Sequence, residues 1–387
     1  MKRELDELDA VSILDFFKDL DDPRCSVNRK HLLGDIILIC ICAVIAGADG
    51  PHAIGKWAVS KKEWLEKVLE LPNGVPSHDT ISRVLAAIKP SAFQTCFSQW
   101  INRFTDAPLG DGKPLIKQIA IDGKALRRSH DMRKGLGALF LVSAWSVECG
   151  MSLGQLATEE KSNEITAIPE LIENIEVKGA IVTIDAAGCQ KNIAKQIVDQ
   201  EGDYILALKG NQGSIHQEVS DWIIHQMENN YAGVKAQTLE ATEKGHGRTT
   251  TYWYAQLEVP ETLKHKDKWA NLRTIGVATR HSEEGDKETF DTRFYLNSIP
   301  MDVKKFSQAV RGHWSIENTL HWCLDVTFRE DESRLRNRHA GENVAWLKRF
   351  GLGLLKRAPS KESIAMRRRM AGWNDTFLAQ VLGISIV

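Results

Sequence analysis

Three acidic residues in this sequence have the chemistry of a hard-cation site. Asp122 lies in IAIDGKALRRS, after an apolar run, and is followed by Gly123. Asp185 lies in IVTIDAAGC, in the same position on a second apolar run, and Ala186, Ala187 and Gly188 follow it. Small neighbours leave room for an ion or a ligand backbone. Carboxylates at the carboxyl ends of strands in an open α/β sheet sit where such sheets bind ligands. Glu317 lies in VRGHWSIENTLHWCLDVTF. There Ile316, Leu320, Cys323, Leu324 and Thr327 follow the spacing of one buried helical stripe, and His313, Glu317 and His321 share a neighbouring stripe.

Two Asp and one Glu offer only oxygen, which suits Mg²⁺ or Mn²⁺. Two such ions can drive in-line displacement at a phosphodiester without a covalent intermediate. Plainer readings compete: Asp122 as a turn residue, Glu317 as an Arg311-paired structural acid, or His313, Glu317 and His321 as ligands of a zinc-like ion.

The elements that must position these residues follow from periodicity. Up to about residue 110 the chain reads helical, with three-and-four apolar spacing over Val11–Leu20, Leu32–Ala48, Ser60–Leu71, Ser77–Ile88 and Ala92–Phe104. Ser60–Leu71 and Ser77–Ile88, joined by PNGVP, have helix-turn-helix proportions, with Ser82 and Arg83 facing outward. Ala107–Pro114 reads as a linker. Strands are then predicted at Leu115–Ile121, Ala138–Trp145, Ser152–Ala157, Ala180–Ile184 and Asp203–Leu208, with helices at Glu164–Ile175 and Gln190–Gln200. Three strands in a row followed by alternation imply a mixed α/β sheet. Between Lys209 and Pro300 the alternation stops. Thr250–Val259, Leu272–Ala278 and Thr292–Leu296 read as an antiparallel, all-β insertion. Helix returns over Asp302–Val326.

The charge is uneven. The net charge is -1, yet residues 333–370 carry eleven Lys/Arg (Arg334, Arg336, Arg338, Lys348, Arg349, Lys356, Arg357, Lys361, Arg367, Arg368, Arg369) against Glu342 and Glu362. That basic helical segment, 333–387, is expected to meet phosphates. Lys124, Arg127 and Arg128 beside Asp122, Lys209 in LKGNQ, and His246 and Arg248 in KGHGR are further candidate DNA contacts. Seven cysteines, an odd number without a CxxC pair, point to a reducing cytoplasm and away from a disulfide framework. The acidic start MKRELDELDA is unlike a signal peptide. Ile36–Gly47 is apolar but short for a bilayer, so a buried helix is expected and no membrane association.

The motifs IDGKALRRS, TIDAAGCQ, YILALKGNQ, GHGR and RGHWSIENTLHWCLDVTFREDESR span almost the whole chain. On them it resembles the DDE transposases of bacterial insertion sequences, and more closely the H-repeat-associated transposases found beside Rhs elements. The resemblance implies a ribonuclease H-like catalytic core (111–210 and 301–332) with a β insertion at 211–300. It implies Asp122, Asp185 and Glu317 as catalytic, metal-binding triad and the seat of two ions, with double-stranded DNA as partner and a homo-oligomer assembled on it. Many relatives carry Tyr-x2-Arg-x3-Glu-x6-Lys around the Glu. Here those places hold Val310, His313 and Leu324, so those roles are not transferred, and Arg311 and His313 are the local candidates. The alternative within this resemblance is a catalytically silent DNA-binding remnant. A plain nuclease without strand transfer is a third.

Overall fold

The computed structural model describes residues 10–102, 117–158, 164–245 and 247–383. The expected linker at 107–114 and His246 lie outside the described residues.

The apolar run at 36–47 forms a buried helix, as its length and flanking acids imply. Helix α2 (Leu33–Ile45) follows α1 (Ala10–Asp15) and is covered from Asp35 to Ile45. No described helix is long and apolar enough to cross a membrane. Next come α3 (Pro51–Ser60), the one-turn α4 (Lys62–Leu65), α5 (His78–Ala87) and α6 (Pro90–Ile101). The continuous helix expected at 60–71 is therefore absent: α3 ends at Ser60 and only four residues of α4 follow. Ser77 does cap α5, accepting from the Thr80 amide, which satisfies one orphan donor of the first turn. Helix α5 packs on α3.

Nine strands form one sheet in the order β3-β2-β1-β4-β5-β9-β8-β7-β6. They are β1 (Gln118–Leu126), β2 (Leu139–Ser146), β3 (Met151–Thr158), β4 (Ile181–Ile184), β5 (Asp203–Leu208), β6 (Ala236–Gly245), β7 (Arg248–Glu258), β8 (Thr274–Glu284) and β9 (Lys287–Asn297). β1–β3 are an antiparallel meander, whereas β4 and β5 join β1 in parallel. Helices α7 (Glu164–Glu173) and α8 (Lys191–Asp199) make the crossovers. This is a ribonuclease H-like core. The insertion does not form a separate body: β9 pairs antiparallel with β5, and β6–β9 extend the core sheet. Nor is it all-β, because α9 (Ser214–Glu228) opens it.

Alternation along the strands assigns the two faces. Ile119, Ile121, Val182, Ile184, Leu206 and Leu208 pack in one cluster with α7, α8 and α9. On the other face Ile181, Ile205 and Ala207 pack under α10 (Val303–Ser315). Helix α10 passes through a π-helical turn, Ile316–His321, into α11 (Trp322–Val326).

The basic segment is not a solvated tail. Helix α12 (Arg338–Arg357) has fifteen of its twenty residues buried and packs on α2, α5, α6 and β3. α13 (Ile364–Trp373) and α14 (Asp375–Leu382) complete the layer. Lys348 and Arg349 are 1% and 0% exposed. Arg368 donates to the carbonyls of Val44, Ala48 and Thr327. Arg367 donates to those of Leu355, Lys356 and Ser360. The sequence expectation of a phosphate-binding surface is corrected for these residues: several of the charges serve helix C-termini, whose last carbonyls need donors. Arg334, Arg336, Lys361 and Arg369 do face outward.

A candidate metal centre on the sheet face

Register brings two of the acids together. The β1–β4 pairing ends at Ile121↔Ile184, so the next residue on each chain, Asp122 and Asp185, continues the same row. β1 itself runs on to Leu126. Asp122 is thus inside its strand, at the point where its parallel neighbour stops. Period-two alternation puts Asp122, Asp185 and, beyond Ala207, Lys209 on the face covered by α10. Glu317 is the second residue of the π-turn, and π-bulges in helices are frequent at functional sites. Asp185, Lys209, His313 and Glu317 line one cavity together with Thr183, Arg293 and Tyr295.

The local chemistry leaves these acids without cations. The Asp122 carboxylate accepts from the Gly123 amide at 2.8 Å, and that of Asp185 accepts from the Ala187 amide at 3.0 Å. Among the described residues no lysine or arginine stands within 4 Å of Asp122, Asp185 or Glu317. The Asp122 contact is His321 Nδ1 at 3.5 Å. His321 is held neutral, its pKa pushed down to about 3 by burial and by Arg349 and Lys124, so that contact is not an ion pair. Burial pushes Asp122 up to about 7. The Gly123 bond opposes the shift, and the negative charges of Asp185, Glu317 and Glu164 add to it. A divalent cation would relieve this repulsion, and the all-oxygen donor set fits Mg²⁺ or Mn²⁺. The three carboxylates do not close on one point: their oxygens are not all within 4.8 Å of one another, nor are the ligand atoms of His313, Glu317 and His321.

Sequence reasoning missed Glu164. It is 3% exposed and opens α7 on the opposite face of β1. A Cβ at Gly123 would stand 2.5 Å from its Oε1 and 2.5 Å from the Phe140 ring. Gly123 therefore lets this fourth carboxylate come near Asp122. The sequence showed the glycine but gave no reason to pair it with residue 164.

The remaining candidates are scattered. Lys124 points to the same face as Asp122 yet is only 9% exposed. It pairs with Asp325 and, at 3.3 Å, with Glu330. As a free DNA contact it is corrected: nearby acids consume it. Arg127 is largely exposed, 3.1 Å from Asp331, and Arg128 is exposed. Arg83 faces outward on α5. Arg248 stands at the turn of the β6–β7 hairpin on the outer part of the sheet, away from the β1–β4 row. Arg311 is paired with Glu243 at 2.7 Å, not with Glu317, and lies over the Tyr252 ring at 4.4 Å. Nearby, Arg280 and Arg293 lie over the Trp314 ring at 5.4 and 5.1 Å. This aromatic and basic cleft was not foreseen. It shares Arg293, Tyr295 and Val310 with the carboxylate cavity.

Comparison with known proteins gives the family. The family described as Transposase DDE domain matches residues 113–352, and that described as DDE_Tnp_1-associated matches 14–101. The chain belongs to the DDE transposase family. It is 39% identical to "Putative transposase YncI" of Escherichia coli O157:H7 over 96% of this chain and 94% of that protein. It is 35% identical to "H repeat-associated putative transposase YhhI" of Escherichia coli K12 over 97% and 98%. "Inactive transposase YbfQ" of the same strain is 43% identical over 20% of this chain and 94% of its own length.

Proposed function

We propose that this chain is a working transposase. It would cut double-stranded DNA at the ends of an insertion-sequence-type element and join the freed 3′-OH to target DNA at the same site. The observation that carries this reading is the row of Asp122 and Asp185 across β1 and β4, faced by Glu317 and unneutralised by any lysine or arginine. Asp122, Asp185 and Glu317 would hold Mg²⁺ or Mn²⁺, two ions in this reading. Bound there, the ions supply an activated attacking oxygen and charge stabilisation at the leaving oxygen.

The chain's own residues do the positioning. Lys209, exposed at the mouth of the cavity, meets a phosphate as a mobile point charge. Arg280, laid over the Trp314 ring, offers a planar donor to the backbone of the strand leading in, beside Arg293 and Arg311, which are held in pairs with Asp291 and Glu243. Arg127, Arg128 and Arg83 reach DNA outside the cavity. Such contacts fix register without reading sequence. Two copies of the chain acting on paired ends, in the bacterial cytoplasm, complete the proposal.

The test is cleavage and joining of duplexes bearing the DNA that flanks the gene, with Mg²⁺ or Mn²⁺. Asp185→Ala should abolish both steps, and unchanged activity overturns the assignment. The relative named as inactive motivates a second reading, a silent remnant. Duplex binding without cutting under either metal would support it. Cutting without a joined product would indicate a plain nuclease.

A further inference from the structure

The turn between β1 and β2 lies beyond the metal row and holds one apolar side chain out in water. β1 runs on from Asp122 to Leu126, about 13 Å at the rise of an extended chain. The turn that follows is fixed at both feet. Ser129 Oγ donates to the Leu126 carbonyl at 2.7 Å and accepts from the Leu139 amide at 2.7 Å. Asp131 and Leu136 exchange backbone bonds at 2.9 and 3.0 Å. The Asp131 side chain, buried, accepts from the Arg133 amide at 3.2 Å and so caps the short 3₁₀ helix Met132–Lys134. Gly135, with a φ of 65°, ends that helix in the left-handed region. At its head Met132 is 84% exposed.

We infer that Met132 is a wedge, which enters a base step of duplex DNA from the minor groove and kinks it. A lone exposed apolar side chain carries no such meaning. The surroundings of this one do. Arg127, Arg128, His130, Arg133 and Lys134 are all exposed on the same turn. Of the acids nearby, Asp131 is turned inward to its cap, and Asp331 and Glu332 are engaged by Arg127 and Arg329. Arg338, at the start of α12, donates to the Gly137 carbonyl at 2.8 Å, which brings the exposed Arg336 to this end of the sheet. An apolar tip ringed by cations fits a partner that is anionic outside and apolar between its stacked layers. Phosphates meet the cations, and base faces meet the thioether.

The rigidity of the turn enters the energetics. Parting two stacked base pairs costs free energy, which is recovered only when the bent duplex gains further contacts with the protein. The capped turn already holds Met132 outward, so little binding energy is lost in ordering it. Its unbranched side chain adapts to the gap it meets. Such a wedge selects steps that deform easily, not a base sequence. Because β1 carries both the turn and Asp122, a duplex gripped at Met132 lies within reach of the metal row. That the bend serves cleavage or joining rests on the transposase reading. The wedge itself rests on duplex binding alone.

The experiment uses the full chain in Ca²⁺ with duplexes that carry a dye at each end and a single 2-aminopurine, scanned position by position. In the saturated complex one step should brighten as its bases unstack, and energy transfer between the ends should report a bend of about 20–90°. Met132→Ala should lose both signals. Met132→Leu, an apolar side chain of similar size, should keep them. Arg133→Ala and Lys134→Ala should each lower the salt slope of binding by about 1, whereas Met132→Ala should leave the slope alone. Brightening at no position, or brightening that survives Met132→Ala, overturns the inference, as does a chain that binds no duplex. If Met132→Ala changes the oligomeric state while DNA is bent as by the parent, the side chain is a subunit contact and the inference falls. A chain that unstacks the step but never cuts DNA fails as a transposase, not as a wedge. One that cuts DNA without bending it fails as a wedge alone.

Discussion

Two clusters of acids lie side by side in this molecule and differ in one respect. At the β1–β4 row, Asp122, Asp185 and Glu317 have no lysine or arginine partner among the described residues. One step further along β1, Asp325 and Glu330 are met by Lys124, and Glu330 is also met by Arg349 at 2.6 Å. Arg349 in turn reaches Ser143 at 3.3 Å, the residue across from Asp122 in the β1–β2 register. The acids respond in opposite directions. Asp122 rises to about 7. Burial would also raise Glu330, but Arg349, Lys124 and Lys348 outweigh it and hold Glu330 at about 2. Acids closed by cations serve the fold, whereas acids left open are poised for a cation from outside.

The sharpest way to break that distinction is through activity. Asp122→Asn or Asp185→Ala should lower metal-dependent strand cleavage by about 10³-fold or more, the worth of several kcal/mol of lost charge stabilisation. Glu330→Gln should instead leave the open row intact while weakening the fold. Removing one member of a buried pair costs about 3–5 kcal/mol, and denaturant unfolding without metal measures it. Equal stability of this variant and the parent would remove the contrast.

The pH dependence should separate the clusters next. Glu330 is depressed when folded, so its contribution is present above about pH 4.5 and is lost as pH falls toward 2. Asp122 is raised, so it favours the folded state at low pH, and that advantage fades as pH climbs from about 4 through 7. Metal-free Asp122→Asn should therefore melt about 2–4 °C higher than the parent at pH 8, with no gain at pH 4. Added Mg²⁺ should stabilise the parent more at pH 8 than at pH 5.5, with a proton released on binding. A melting curve for Asp122→Asn that tracks the parent at every pH would contradict the raised pKa.

The smallest effect concerns the two neighbouring cations of β1. Arg127→Ala should change stability by less than about 1 kcal/mol, since its pair with Asp331 is exposed. It should lower the salt slope of DNA binding by about 1. Lys124→Ala should do the opposite, destabilising the fold and leaving the slope alone. Filter binding over a salt series distinguishes the two.

Much of this was legible in the sequence. The strand meander, the crossovers, the buried helix at 36–47 and the stripe of Ile316, Leu320 and Leu324 follow from apolar period. Helix α9 was legible too, since Ile215, Val219 and Ile223 repeat at helical spacing. Strand β6 was not, because its sequence AQTLEATEKG is mostly polar, with Leu239 its one large apolar side chain, as an edge strand can be. The π-turn at Glu317 likewise has no local signature.

Taken alone, the sequence determined which residues carry carboxylates and which elements they ride on, because side-chain chemistry and apolar period are local properties. It could not say which acids meet which bases. Lys124 and Asp325 are 201 positions apart, and Arg349 came from a stretch that composition assigned to the surface. Charges act through distances in space, and those distances exist only once the sheet register and the packing of α10 and α12 are set. The tertiary structure alone decided that Lys124 is consumed, that Glu164 arrives, and that His313 Nδ1 meets Thr183.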